Sequence, residues 1–102
     1  MVWLYKKSGE CVKVQGSYEL RFAKLLDTFD PDWIKPSIWQ RNHQFKWIDS
    51  NNSIHWYTPD FWSPKINKYF EVKGYWSFKQ KEKKLFIENL NDVYIIYEAN
   101  LK

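Results

Sequence analysis

Asp60, Glu71 and Lys73 are the residues whose types and spacing point to chemistry, and they lie in one stretch from Tyr57 to Gly74. Within it, Phe61-Trp62 and Tyr69-Phe70-Glu71-Val72 are aromatic and β-branched runs separated by Ser63-Pro64-Lys65-Ile66-Asn67. That pattern predicts two antiparallel strands joined by a short loop. With Pro64 to Asn67 as the loop, Ser63 faces Lys68, and counting back along both strands sets Asp60 opposite Glu71. Side chains alternate between faces, so Lys73 joins Glu71 while Phe61, Phe70 and Val72 share the other, apolar face. A slip of one residue would bury the carboxylates and expose the rings, so the pattern favours this register.

Carboxylates opposed across a strand pair sit roughly 5 Å apart at Cβ. At an effective dielectric of about 20 they repel by about 3 kcal/mol. A fold that keeps them together needs a raised pKa, a nearby cation or a bound metal. Lys73 supplies one positive charge, and a hard divalent ion on oxygen ligands would supply the rest, with the Val72 carbonyl as a third oxygen. Mg²⁺ typically takes one or two carboxylates and leaves positions for waters and a substrate phosphate, which describes a phosphodiesterase site.

Pro59-Asp60 followed by Glu71-Val72-Lys73 resembles the signature of the PD-(D/E)XK nuclease superfamily. Gly74 after the lysine, the aromatic after Asp60 and the upstream Gly16-Ser17-Tyr18-Glu19 helix start are similar to small phage and mobile-element members. The resemblance spans about Ser17 to Tyr97. It implies an α/β (α+β) fold with a restriction-endonuclease-like core of helix, three strands, helix and strand around a mixed central sheet. It implies a metal-dependent DNA endonuclease with Asp60, Glu71, Lys73 and Glu19 catalytic. Asp60, Glu71, the Val72 carbonyl and Glu19 would hold Mg²⁺, for which Mn²⁺ would substitute. Glu19 matches the acidic residue of the superfamily's first helix; the bland alternative is a carboxylate favoured by the helix dipole in a first turn.

The chain has 102 residues, the size of one domain, here a nuclease core over residues 17–98 and an N-terminal extension over 1–15. Aromatics make up 21% of it, with seven tryptophans. Rings fill a small core efficiently, and some could instead stack on bases. A net charge of +4 favours a polyanionic partner, here DNA. Cys11 is the lone cysteine, which excludes an intrachain disulfide and a cysteine zinc cluster and suits an intracellular compartment, a bacterial host's cytoplasm for a phage protein. No apolar run approaches membrane-spanning length, so no membrane association is expected.

The elements that must position these residues read as follows. Trp3-Leu4-Tyr5 and Val12-Lys13-Val14 flank Ser8-Gly9-Glu10 as a β-hairpin added to the core. Ser17 reads as the N-cap of a helix with Tyr18, Phe22, Leu25, Leu26 and Phe29 on one apolar face, ending at Asp30-Pro31-Asp32. Ile38-Trp39 reads as a short strand after Pro36, and Phe45–Ile48 with Ser53–Tyr57 as a hairpin around Asp49–Asn52. His43 and His55 lack a third ligand at metal spacing. Ser77 caps a second helix over Phe78 to Leu90 with Phe78, Leu85, Phe86 and Leu90 inward. Val93–Tyr97 is a buried strand beside the catalytic hairpin. Lys13, Arg21, Lys24, Lys65, Lys79 and Lys83 are candidate DNA contacts; a solvated basic face is the ordinary account of such residues.

One site per small domain means that cutting both strands takes a homodimer. The acidic helix residue, Asp60 and Glu71-x-Lys73 are also similar to phage endonuclease I-type resolvases, so a Holliday-junction resolvase is the first alternative. A part in a larger DNA-processing complex is a further expectation. A non-catalytic nucleic-acid-binding module is the alternative from another class, and metal dependence separates it from an enzyme.

Overall fold

The computed structural model describes residues 2–101. It is a mixed α+β domain whose centre is a three-stranded sheet of β5 (Phe61–Ser63), β6 (Lys68–Lys73) and β7 (Val93–Tyr97). Ser63 lies opposite Lys68 and Phe61 opposite Phe70, which is the register the side-chain pattern predicts. Asn67 takes a left-handed φ of 54° in the intervening turn, a conformation asparagine tolerates better than most residues. β7 runs parallel to β6 with Glu71 opposite Ile95. The crossover between them carries α2 (Lys81–Glu88), as parallel neighbours require.

The two faces of this sheet carry different layers. On one face, Phe61 and Phe70 pack with Phe22, Ala23 and Leu26 of α1 (Gly16–Phe29) and with buried Trp33. Val12 and Val14 join the same core from the N-terminal hairpin, β1 (Val2–Tyr5) with β2 (Cys11–Val14). On the other face, Tyr69 and Val93 pack with Ile87 of α2 and with Tyr57 of the hairpin β3 (Phe45–Ile48) and β4 (Ile54–Tyr57). Alternation along β6 thus sends Phe70 and Val72 towards α1, and Tyr69 and Glu71 towards α2 and β4.

Several expectations change. The helix begins one residue earlier than predicted: Gln15 is the N-cap, and Ser17 lies inside the first turn. Gly16 makes the entry with φ +77°, a left-handed backbone that favours glycine. Four strands separate the helices, and β3 and β4 pair only with each other, so the central sheet has three strands. Ile38-Trp39 forms no strand; instead Ile34 makes an isolated antiparallel bridge to Trp62, and Pro36, with no N–H to donate, ends the pairing. The second helix opens with a 3-10 turn over Phe78–Gln80, capped reciprocally by Ser77 and Gln80. That turn shifts the helical phase, leaving Phe78 and Leu85 exposed and burying Ile87 in their place. Leu25 and Phe29 of α1 are likewise exposed. β7, one of the sheet's two edges, is only partly buried, with Val93 inside and Tyr94 exposed.

The far end of α1 is fastened to the β5–β6 turn. Buried Asp30 accepts hydrogen bonds from Ser63 Oγ (2.5 Å), the Lys65 amide (3.1 Å) and the Asp32 amide (3.0 Å). Burial pushes its pKa up, but these bonds outweigh that and hold it below the usual carboxylate value. Glu19, about 16 Å away along the helix at 1.5 Å per residue, is thereby set at the opposite end of the same hairpin. That is the end where Asp60 and Glu71 meet.

Candidate active site

Asp60 immediately precedes β5, and its Oδ2 accepts a hydrogen bond from the Val72 amide at 2.9 Å. The bond ties the start of one strand to the end of the next and fixes Asp60 beside Glu71. In a strand the N–H and C=O of one residue point to the same side, so the Val72 carbonyl also faces the gap where β5 begins. Glu71 is 5% exposed, and its Oε1 accepts a hydrogen bond from the Tyr57 hydroxyl at 2.7 Å. Lys73 Nζ stands 4.0 Å from Glu71 Oε2 and 4.7 Å from the centre of the Trp76 ring.

The electrostatics follow from this crowding. Burial, then the charge of Asp60, push Glu71 up to about 7, against the Tyr57 hydrogen bond and the charges of Lys73 and Lys83. Asp60 is raised too, first by burial and then by Glu19, with the Val72 amide, Lys35 and Lys73 opposing. Burial, followed by the charge and hydrogen bond of Glu71, raises the Tyr57 phenol, which stays protonated and donating. Burial thus makes ionisation of both carboxyls costly, and the nearby lysines offset that cost only in part.

Glu19 reaches the site from α1. Its Oε1 accepts from Lys35 Nζ at 2.6 Å and from the Gln15 amide at 3.3 Å. Lys35 Nζ lies 3.4 Å from the Asp60 carbonyl and 4.9 Å from the Phe61 ring centre. The Ile34–Trp62 bridge places Lys35 there, since it sets the next residue alongside Phe61. Sequence reasoning missed Lys35 because the segment around Pro36 has no periodicity; its position comes from a single bridge. Tyr57 was also missed, although it stands three residues before Asp60, because a strand tyrosine gives no sign of what its hydroxyl meets.

No protein-family model, curated protein or solved structure matches the chain. The site therefore rests on its own geometry. Among the described residues no three His, Cys, Asp or Glu side chains converge as a metal-binding group. What the hairpin does bring together is two carboxylates and the Val72 carbonyl. These are hard oxygen donors whose ionised forms burial disfavours in the absence of a cation, and they suit a divalent ion that keeps most of its waters. Glu19 is paired with Lys35, whose ammonium also lies 3.4 Å from the Asp60 carbonyl, and it is near enough to raise the Asp60 pKa.

A cleft of about 350 Å³ opens beside the site, bounded by Glu19, Val72, Lys73, Gly74, Tyr75 and Glu98. Of the candidate DNA contacts, Lys83 is nearest, 5.6 Å from the Tyr57 ring centre. Arg21 and Lys65 instead donate to the Leu101 and Phe29 carbonyls, at 2.6 and 2.9 Å. Lys13 lies over Trp3, while Lys24 and Lys79 are exposed. His43 and His55 are engaged with Tyr69 and Asp49 at 2.8 and 2.7 Å. No helix among the described residues is long and apolar enough to cross a membrane.

Proposed function

We infer that the protein is a metal-dependent DNA endonuclease built on a restriction-endonuclease-like core of the PD-(D/E)XK pattern. The observation that carries this reading is the β5–β6 register, which seats Asp60 against Glu71 with Lys73 on the same strand. A structural hairpin has no use for two buried carboxylates, Glu71 raised by burial and by Asp60, and Asp60 raised by burial and by Glu19, whereas a phosphodiesterase needs them. Asp60, Glu71 and the Val72 carbonyl would hold Mg²⁺ or Mn²⁺, whose chemistry is to lower the pKa of water and offset charge on a phosphate.

The protein's own groups do the positioning. Tyr57 holds Glu71 Oε1 in place, and the Val72 amide holds Asp60. Lys73, kept over the Trp76 ring, is free to orient an attacking water or to balance the charge that grows on the phosphorus oxygens. Glu19, ion-paired with Lys35, lines the cleft, where it can accept a hydrogen bond from water entering the site. The net charge of +4 favours the polyanionic substrate. Cleavage of both strands takes two copies related by a two-fold axis.

The test is a gel assay with supercoiled plasmid and a synthetic four-way junction in one reaction, run with Mg²⁺ or EDTA and alongside Glu71→Ala. Cutting that requires both Mg²⁺ and Glu71 is the expected result. Preference for the junction would make the enzyme a resolvase, and preference for plasmid a duplex endonuclease. Binding of both substrates with no Mg²⁺-dependent ends would leave a nucleic-acid-binding module instead.

A further inference from the structure

Beyond the hydrolytic site, the segment Gly74–Phe78 carries two large rings in solvent. Tyr75 is 80% exposed and Phe78 92% exposed; Trp39 and Tyr5 are exposed to a similar degree, but neither lines the cleft beside Lys73. Tyr75 lines the same cleft as Glu19, Val72 and Lys73, so one ring stands directly beside the groups assigned to phosphate chemistry. The segment is held at both ends. Lys73 closes β6 on one side, and the reciprocal Ser77–Gln80 cap fixes the turn that carries Phe78 on the other. Trp76, between the two rings, is occupied by Lys73 and donates its indole N–H to the Tyr97 hydroxyl at 3.2 Å. Lys79, Lys81, Lys83 and Lys84 follow directly.

Exposed aromatics on a fixed turn, next to a phosphate-directed cleft and followed by cations, have the composition of a stacking platform for unpaired bases. Bases inside a continuous duplex have their faces covered by their neighbours and cannot use such a platform. We propose that Tyr75 and Phe78 bind unpaired nucleobases beside the Glu19–Lys73 cleft, so that the preferred substrate is DNA with single-stranded character at the cleavage point. This rests on the endonuclease reading of the site and narrows its substrate class to branched, flapped or frayed DNA.

The test measures fluorescence anisotropy of a labelled oligothymidylate and of a labelled duplex of equal length. Both are titrated with the Glu71→Gln protein in EDTA at low salt, so that nothing is cut. Stacking contributes enough per base that Tyr75→Ala and Phe78→Ala should each weaken oligothymidylate binding at least about fivefold. Tyr75→Phe, which keeps the ring, should restore it, and duplex affinity should stay within about twofold, since phosphate contacts are sequence- and stacking-independent. Tyr5→Ala, an exposed ring near the loop end of the β1–β2 hairpin, should change neither. Unchanged oligothymidylate binding in the Tyr75 and Phe78 variants, equal loss on both DNAs, or no binding to oligothymidylate at all overturns the platform. Ring-dependent binding by a wild type that cleaves nothing leaves the platform standing and removes only the hydrolase reading. Duplex cleavage with ring-independent binding does the reverse.

Discussion

Glu71→Gln gives the sharpest check on the electrostatics of the site, because the amide keeps an oxygen for the Tyr57 hydroxyl while removing the charge. In the folded chain the Glu71 carboxyl is pushed from 4.5 to about 7, first by burial and then by Asp60. A folded pKa above the unfolded one means that the native state binds the extra proton. The stability this contributes is full below pH 4.5 and is lost as the pH rises through about 7. At 1.36 kcal/mol per unit, the whole shift is worth about 3 kcal/mol, most of it falling between about pH 5 and about pH 8. Wild type should therefore lose about 2–3 kcal/mol relative to Glu71→Gln across that window, in metal-free buffer. Asp60, raised as well, is present in both proteins and cancels to first order in the difference. Urea denaturation of both proteins at several pH values in EDTA reads the difference directly. Parallel stability curves would refute the claim that Glu71 is held as a destabilised buried charge, and with it the reason for expecting a cation there. Adding Mg²⁺ should close the gap at high pH, since a ligand that binds only the folded site stabilises it.

Other expectations follow from single contacts. Lys73→Ala should reduce Mg²⁺-dependent cleavage by about a hundredfold or more while DNA affinity in EDTA stays within a few-fold, and equal loss of binding would remove its catalytic role. Lys35→Met leaves buried Glu19 with only the Gln15 amide, so thermal or urea unfolding should show a cost of about 1–3 kcal/mol at neutral pH. Asp30→Ala removes the acceptor shared by Ser63, Lys65 and Asp32 and should cost about 2 kcal/mol or more by the same measurement. Because the Asp30 pKa is depressed in the fold, its contribution is present above pH 3.8 and lost on acidification, so the wild-type advantage should shrink at low pH.

Local patterning made much of the framework legible. Period-two alternation in Phe61–Val72 and the Pro64–Asn67 turn determined the hairpin and its register, because a one-residue slip would have exposed the rings that now form the core. The same alternation placed Glu71 and Lys73 together and Asp60 across from Glu71. The β1–β2 and β3–β4 hairpins and the span of α1 were equally visible from β-branched runs, turn residues and helical spacing. The inward face of α2 was legible only in part: Phe86 and Leu90 pack inward as expected, but the Ser77–Gln80 turn shifts the helical phase so that Phe78 and Leu85 face out and Ile87 is buried.

Tertiary structure alone decided what surrounds the carboxylates. Lys35 arrives through one bridge between Ile34 and Trp62, two segments with no common periodicity. Tyr57 reaches Glu71 because β4 lies on the same face of the sheet as α2, and Asp30 sets the reach of Glu19 by fastening the far end of α1. Such contacts join residues distant in sequence, and they depend on how layers pack rather than on any local preference. The chain thus declares its acidic pair through strand alternation, while the cations and the phenol come to the pair only when the two sheet faces are covered.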